Sequence, residues 1–214
     1  LRELDLDNNK ISDITAIANL TKLINLELHD NYISNVSPLI ENTGILGRIT
    51  LKNNPLNNTA LSTHIPALEA RGIEVEYDMP EGVVLFKDAN LEKAIRDALG
   101  IPTELLKKED LEKLTELKYE GKEEAKISDL TGLEHCTNLT NLTLPNHKII
   151  NITVLSDLTK LTVLDIGDNE IADVSPLKRL NELVHLKIYR NEVADISSLN
   201  RLNNLQLFDI GGNR

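Results

Sequence analysis

Tryptophan is absent from the 214-residue chain, and aromatic residues make up only 3% of it. Base stacking, sugar platforms and aromatic cages need such rings, so these kinds of site are disfavoured. Cys136 is the only cysteine, and neither an intrachain disulfide nor a multi-thiolate metal site can be built from it. Cations are in the minority, with 23 Lys and Arg against 34 Asp and Glu and a net charge of −11. A nucleic-acid groove displaces counterions with clustered positive charge, so nucleic acid is not an expected partner. Apolar residues are spread evenly, and no run approaches the ~18 residues of a spanning helix, so no membrane insertion is expected.

What the sequence does contain is a period. Leu1, Leu4, Leu6, Asn9, Ile11, Ile14, Ile17 and Leu20 set a template that restarts at Leu23 and returns at Leu139, Leu161, Leu183 and Leu205. Positions 4 and 6 alternate with polar neighbours, the rhythm of a short strand with one buried face. Positions 11, 14, 17 and 20 recur every three residues, as in a tight helical return. The amide at position 9 (Asn9, Asn31, Asn54, Asn169, Asn191, Asn213) suits backbone groups turned inward where the strand bends, and His147 replaces it once. Asp13, Asn35, Asp129, Asn151, Asp173 and Asp195 are each followed two residues on by Ser or Thr and open the return segment. A single coil exposes apolar surface above and below, so only a stack buries a continuous core.

The template, with its "ISDI" and "VSPL" turns, resembles the 22-residue leucine-rich repeat of bacterial internalin-type surface proteins. The fold class expected from it is an α/β solenoid: a parallel β-sheet on a concave face, 3-10 or irregular returns, and helical cap segments in mid-chain. The resemblance implies a secreted or surface-displayed bacterial or archaeal protein that binds a protein ligand and is not an enzyme. An intracellular scaffold or enzyme regulator, and a spacer with no ligand of its own, are the competing readings.

After Asn54 the repeat closes differently. A helix is expected from about Ala60 to Ala70, stopped at Gly72 and followed by a strand alternating Ile73, Val75 and Tyr77, which resembles a terminal cap of such arrays. The run beginning at Val83 reads as a strand, then a helix started by Asp88 and carrying Leu91, Ile95, Ala98 and Leu99 on one side. A second helix is expected near Lys108 to Leu114, and residues 83–113 together resemble an N-terminal helical cap. Two domains are therefore expected: residues 1–80, three repeats and a C-terminal-type cap, and residues 81–214, an N-terminal-type cap and five repeats. The first of those five is lengthened by three residues around Gly121 to Lys126, and the last is unfinished. That order suits a segment of a longer protein with tandem repeat domains, or a rearranged single domain running naturally from 80–214 into 1–79. Ends without caps invite head-to-tail self-association, because such contacts are heterologous and do not close.

Equal repeat positions should align as ladders across the sheet, about 4.8 Å apart. In the second module position 5 reads Lys118, Thr143, Asp165, Lys187, Asp209, a stripe that largely neutralises itself. Position 3 runs Asn141, Val163, His185, Leu207, with Val184 beside it, and outward apolar residues that cluster call for an explanation. Tyr189 lies between Gly167 and Gly211 at position 7, which leaves space on both sides of the ring, and Arg190 follows. Tyr and Arg are favoured in protein contacts, so the candidate ligand-binding patch is Val163, Val184, His185, Tyr189, Arg190 and Leu207. The first module's ladders (Glu3, Asn25, Arg48; Asp5, Glu27, Thr50; Asp7, His29, Lys52) read as a solvated face. No catalytic, cofactor or metal residues are expected: the histidines lack positioned partners, Cys136 sits at an apolar position, and Lys187 spoils the carboxylate group Asp165, Asp168, Asp209 as a calcium site.

Overall fold

The computed structural model describes residues 1–214. Its contacts divide them into two compact units, residues 1–85 with 103–105, and residues 86–102 with 106–214.

In the first unit, β1 (Glu3–Asp5), β2 (Asn25–Glu27), β3 (Arg48–Thr50) and β4 (Glu74–Glu76) form a parallel sheet in chain order. The register sets Leu4, Leu26, Ile49 and Val75 side by side. Leu26 and Ile49 are wholly buried while the residues preceding them point outward, the two-residue alternation of a half-buried strand. Return segments differ from coil to coil: a 3-10 turn at Thr15–Asn19, then α1 (Ser37–Glu41) with Pro38 in its first turn. The helix expected over residues 60–70 forms, but its first part, Ala60–His64, is wound as a π-helix before α2 (Ile65–Ala70). Pro66 accounts for this, because its ring would clash with the carbonyl one α-turn back and a wider turn relieves the clash. Leu61, Ile65 and Leu68 face the core.

In the second unit, α3 (Ala89–Leu99) and α4 (Lys108–Leu111) precede a five-stranded parallel sheet, again in chain order: β5 (Glu116–Lys118), β6 (Asn141–Thr143), β7 (Val163–Asp165), β8 (His185–Lys187) and β9 (Leu207–Asp209). Asp88 caps α3, its Oδ1 accepting from the backbone N–H groups of Asn90 (2.9 Å) and Leu91 (3.1 Å). Its other oxygen accepts from the N–H of Ser128 at 2.8 Å, which ties the helix start to the first coil. Gly100 ends α3 in the left-handed region at φ 69°, where other residues are strained.

Three expectations are corrected here. No strand forms over residues 83–86; Val84 and Phe86 are buried by packing instead, an outcome that periodicity cannot distinguish in so short a run. Ala98 is exposed and Ala94 takes its place beside Leu91 and Ile95, because the last turn of α3 extends past the surface the helix packs on. Finally, α4 stops at Leu111, since Leu114 is already needed where the chain enters β5. Strand starts fall 22 residues apart from β6 to β9 and 25 apart from β5 to β6. The added length makes a tight antiparallel turn bridged between Lys122 and Ala125. Leu164, Ile166, Leu186 and Ile188 are wholly buried, so the interior passes without a break from coil to coil.

Candidate binding face

The outward face of the second sheet is held by the position-9 amides. Asn169 donates from Nδ2 to the carbonyls of Leu144, Ile166 and Gly167 at 3.0–3.1 Å, and its Oδ1 accepts from the N–H of Ile149 at 3.0 Å. Asn191 repeats the arrangement one coil later. His147 does the same work with a ring: Nδ1 accepts from the N–H of Ile127 at 3.0 Å, and Nε2 lies 3.1 Å from the Tyr119 carbonyl. That geometry requires the neutral imidazole with its proton on Nε2, and burial lowers the His147 pKa accordingly. The Tyr119 ring stacks on it, with centroids 5.7 Å apart.

On the frame so built, Val163, His185 and Leu207 are direct neighbours in register across β7, β8 and β9. His185 and Leu207 are exposed and Val163 is half-buried. By strand alternation Val184 is in phase with the inward-facing Leu186, and it is half-buried, so it borders the row without belonging to it. Tyr189 also differs from expectation. Its ring does not stand between two open spaces but lies directly on Gly167, where any Cβ would overlap the ring, and it is half-buried as a result. At Gly211 the ring is not the neighbour: a Cβ there would meet the Asp209 carboxylate at 3.4 Å instead. Desolvation, then the carboxylates of Asp165, Asp168 and Asp209, raise the Tyr189 pKa, so the hydroxyl remains a proton donor at neutral pH. Lys187 Nζ is 3.4 Å from Asp165, and the exposed Arg190 is 3.3 Å from Asp168. The structure therefore brings an outward row of Val163, His185 and Leu207 beside a fixed Tyr189 ring whose surrounding charges are mostly paired.

The first unit's face is a network of paired charges. Arg48 bridges Glu76 at 2.7 Å and Glu27 at 3.4 Å, Lys52 meets Glu76 at 3.2 Å, and the Thr50 hydroxyl donates to Glu27 at 2.6 Å. His29 bridges Asp30 at 2.7 Å and Asp7 at 3.0 Å, and the hydrogen bond to Asp30 is the chief reason its pKa is raised. The sequence ladders held these residues but not their pairing, which depends on side-chain reach across coils.

Cys136 is buried, and desolvation pushes its pKa up to about 12, which leaves it a neutral thiol. No group of three or more His, Cys, Asp or Glu side chains is placed to hold a metal ion. No helix is long and apolar enough to cross a membrane.

Residues 1–41 match the Leucine Rich repeats family in two copies. Among solved structures the chain is similar to an internalin from Listeria monocytogenes, at 24% identity and a TM-score of 0.45, with 100% of this chain and 62% of that one covered. It is also similar to internalin C2 of the same organism, at 28% identity and a TM-score of 0.43, covering 97% and 80% of the two chains. A leucine-rich-repeat protein from Leptospira interrogans aligns at 17% identity and a TM-score of 0.45, with 100% of this chain and 49% of that one covered. The chain thus spans 62% of the length of the first internalin. No curated protein matches it. The two parallel stacks with 3-10 and helical returns are a leucine-rich-repeat architecture.

Proposed function

We propose that this chain is a non-catalytic protein-interaction module that binds a protein ligand through the outward face of its second sheet. The observation that carries the reading is the in-register row Val163, His185 and Leu207 beside Tyr189, whose ring is fixed in place on Gly167. A preset aromatic ring loses little freedom on binding, and apolar neighbours supply area that water does not want. Arg190, exposed at the edge, adds a guanidinium able to exchange Asp168 for a partner's carboxylate. Val184 supports the row from beside it.

The finer parts of the reading rest on the sequence resemblance. The 22-residue template and the helical segment before β5 support an internalin-type repeat with an N-terminal cap, and with it display on, or secretion from, a bacterial or archaeal cell. Display is tested by protease treatment of intact cells of the source organism: loss of the protein supports an outer location, and protection argues for the intracellular scaffold.

Binding is tested by recovering partners from the organism's host or culture medium with wild-type protein and with His185→Glu/Leu207→Asp or Tyr189→Ala/Arg190→Ala. A partner held by the wild type and lost by both variants is the expected result. Equal recovery by all three proteins, or none by any, would remove the face from consideration and leave a spacer.

A further inference from the structure

Four cations converge on the second unit along the segments that lead from each 3-10 turn toward the next strand. Lys160, Lys178, Arg179 and Arg201 come from three successive coils and line a groove of about 560 Å³ together with Thr159 and Asn181. A neighbouring groove of about 430 Å³ shares Lys178, Arg179 and Arg201 and adds Ser197, Ser198 and Asn200. Lys178 and Arg179 end the 3-10 turn Ser175–Arg179, and Arg201 stands 22 residues after Arg179, at the same place in the next coil. Repetition thus places two arginines at the same repeat position on adjacent coils, both lining the same grooves.

The carboxylates nearby are too few to neutralise the group. Glu182 lines the first groove, Asp157 reaches Arg179 only at 3.9 Å, and Asp173 acts on Lys178 through space without a direct ion pair, three carboxylates against four cations. Lys160 leans on the Asn138 amide oxygen at 2.5 Å, while Lys178 and Arg201 make no ion pair and no side-chain hydrogen bond. A net excess of positive charge therefore sits on one flank of a chain whose total is −11. Like charges brought together in one groove repel, and an anion placed between them removes the cost. The remaining lining groups are hydroxyls and amides, which favour a polar ligand over an apolar one.

We propose that this groove binds an extended acidic segment of a partner protein, with carboxylates meeting Lys160, Lys178, Arg179 and Arg201. Guanidinium forks match carboxylates in pairs of parallel hydrogen bonds. In an extended peptide, side chains on one side recur about every 7 Å, so two or three acidic residues span the cations of three coils. A short segment needs only this local excess, whereas a nucleic acid presents its dense phosphates to the whole acidic molecule and is repelled by it. Its cations are not among the residues of the sheet-face patch, and the proposal does not depend on the reading given for that patch.

Fluorescein-labelled hexaglutamate provides the probe, read by anisotropy against the full chain at about 50 mM and about 300 mM salt. Binding is expected at the lower salt, weakened about tenfold by Lys178→Glu/Arg201→Glu and by the salt increase, less by Lys178→Gln/Arg201→Gln, and unchanged by Tyr189→Ala. Both substituted side chains are exposed and make no side-chain hydrogen bond, so the variants keep the fold, which circular dichroism checks. No binding at low salt, or equal binding by the charge-reversed variant, would overturn the proposal. So would tighter binding of labelled hexathymidylate abolished by the same substitutions, because the groove would then be a phosphate site.

Discussion

His147 and His29 are imidazoles in opposite circumstances, and the contrast fixes how each responds to pH. His147 is buried and uses Nδ1 as an acceptor, so its folded pKa is lowered below the ordinary 6.5. The stabilisation it provides is fully present above pH 6.5 and is lost as the pH falls toward the folded value. His29, between Asp30 and Asp7, has its pKa raised above 6.5, so its contribution is complete below 6.5 and is lost as the pH rises through the folded value. Histidine NMR should show His147 Cε1 titrating below pH 6.5 and His29 Cε1 above it, and the reverse order would refute both assignments. Changing His147→Asn, the residue other coils carry at that place, should keep the fold and remove the acid-side loss. At this scale the position-9 rule was readable, because one amide can serve four backbone groups whatever surrounds it. The pose of Tyr189 was not: the glycine at position 167 was visible, but whether it opened space or received the ring depended on the side-chain torsions of Tyr189.

Among the elements, α3 shows where local signals suffice. Asp88 as a helix start and Gly100 as a stop were legible, because caps are satisfied within a few residues, while the inward face kept Leu91 and Ile95 and took Ala94 in place of Ala98. The missing strand at residues 83–86 and the π-wound turn at Ala60–His64 were not, since the first depends on available sheet edges and the second on a clash at Pro66. Asp88 also does something no local rule includes, accepting hydrogen bonds from the N–H and hydroxyl of Ser128, 40 residues on. Asp88→Ala should therefore cost more than an ordinary cap: ~1 kcal/mol for the lost N-cap and ~1 kcal/mol for the lost hydrogen bonds from Ser128, whose donors water can reach. Hydrogen exchange should speed up at Asn90, Leu91 and Ser128 together. Faster exchange in α3 alone would mean that the helix is capped but not anchored through this residue.

For the molecule as a whole, stability resides in contacts between neighbouring coils, as expected for a repeat architecture in which each unit touches only the next. Leu186 shows this: it sits in β8 between β7 and β9, in register with Leu164 and Phe208, and is wholly buried. Leu4 occupies the same repeat position in β1, the edge strand of the first sheet, and is half-buried. The two leucines are identical by template and alternation, and only the place of Leu4 in the first coil separates them in the sequence. Leu186→Ala removes contacts to coils on both sides and leaves a cavity, for an expected loss of ~3–5 kcal/mol. Leu4→Ala loses packing on one side only, and water can fill the space, so ~1–2 kcal/mol is expected from the smaller area involved. Urea unfolding followed separately in each unit, through single fluorophores attached at Asn203 and Asn19, measures the two losses. The Leu186 variant should lower the midpoint of the second unit sharply while the first keeps its own, and equal losses for the two leucines would show that stability is not carried by stacking between coils.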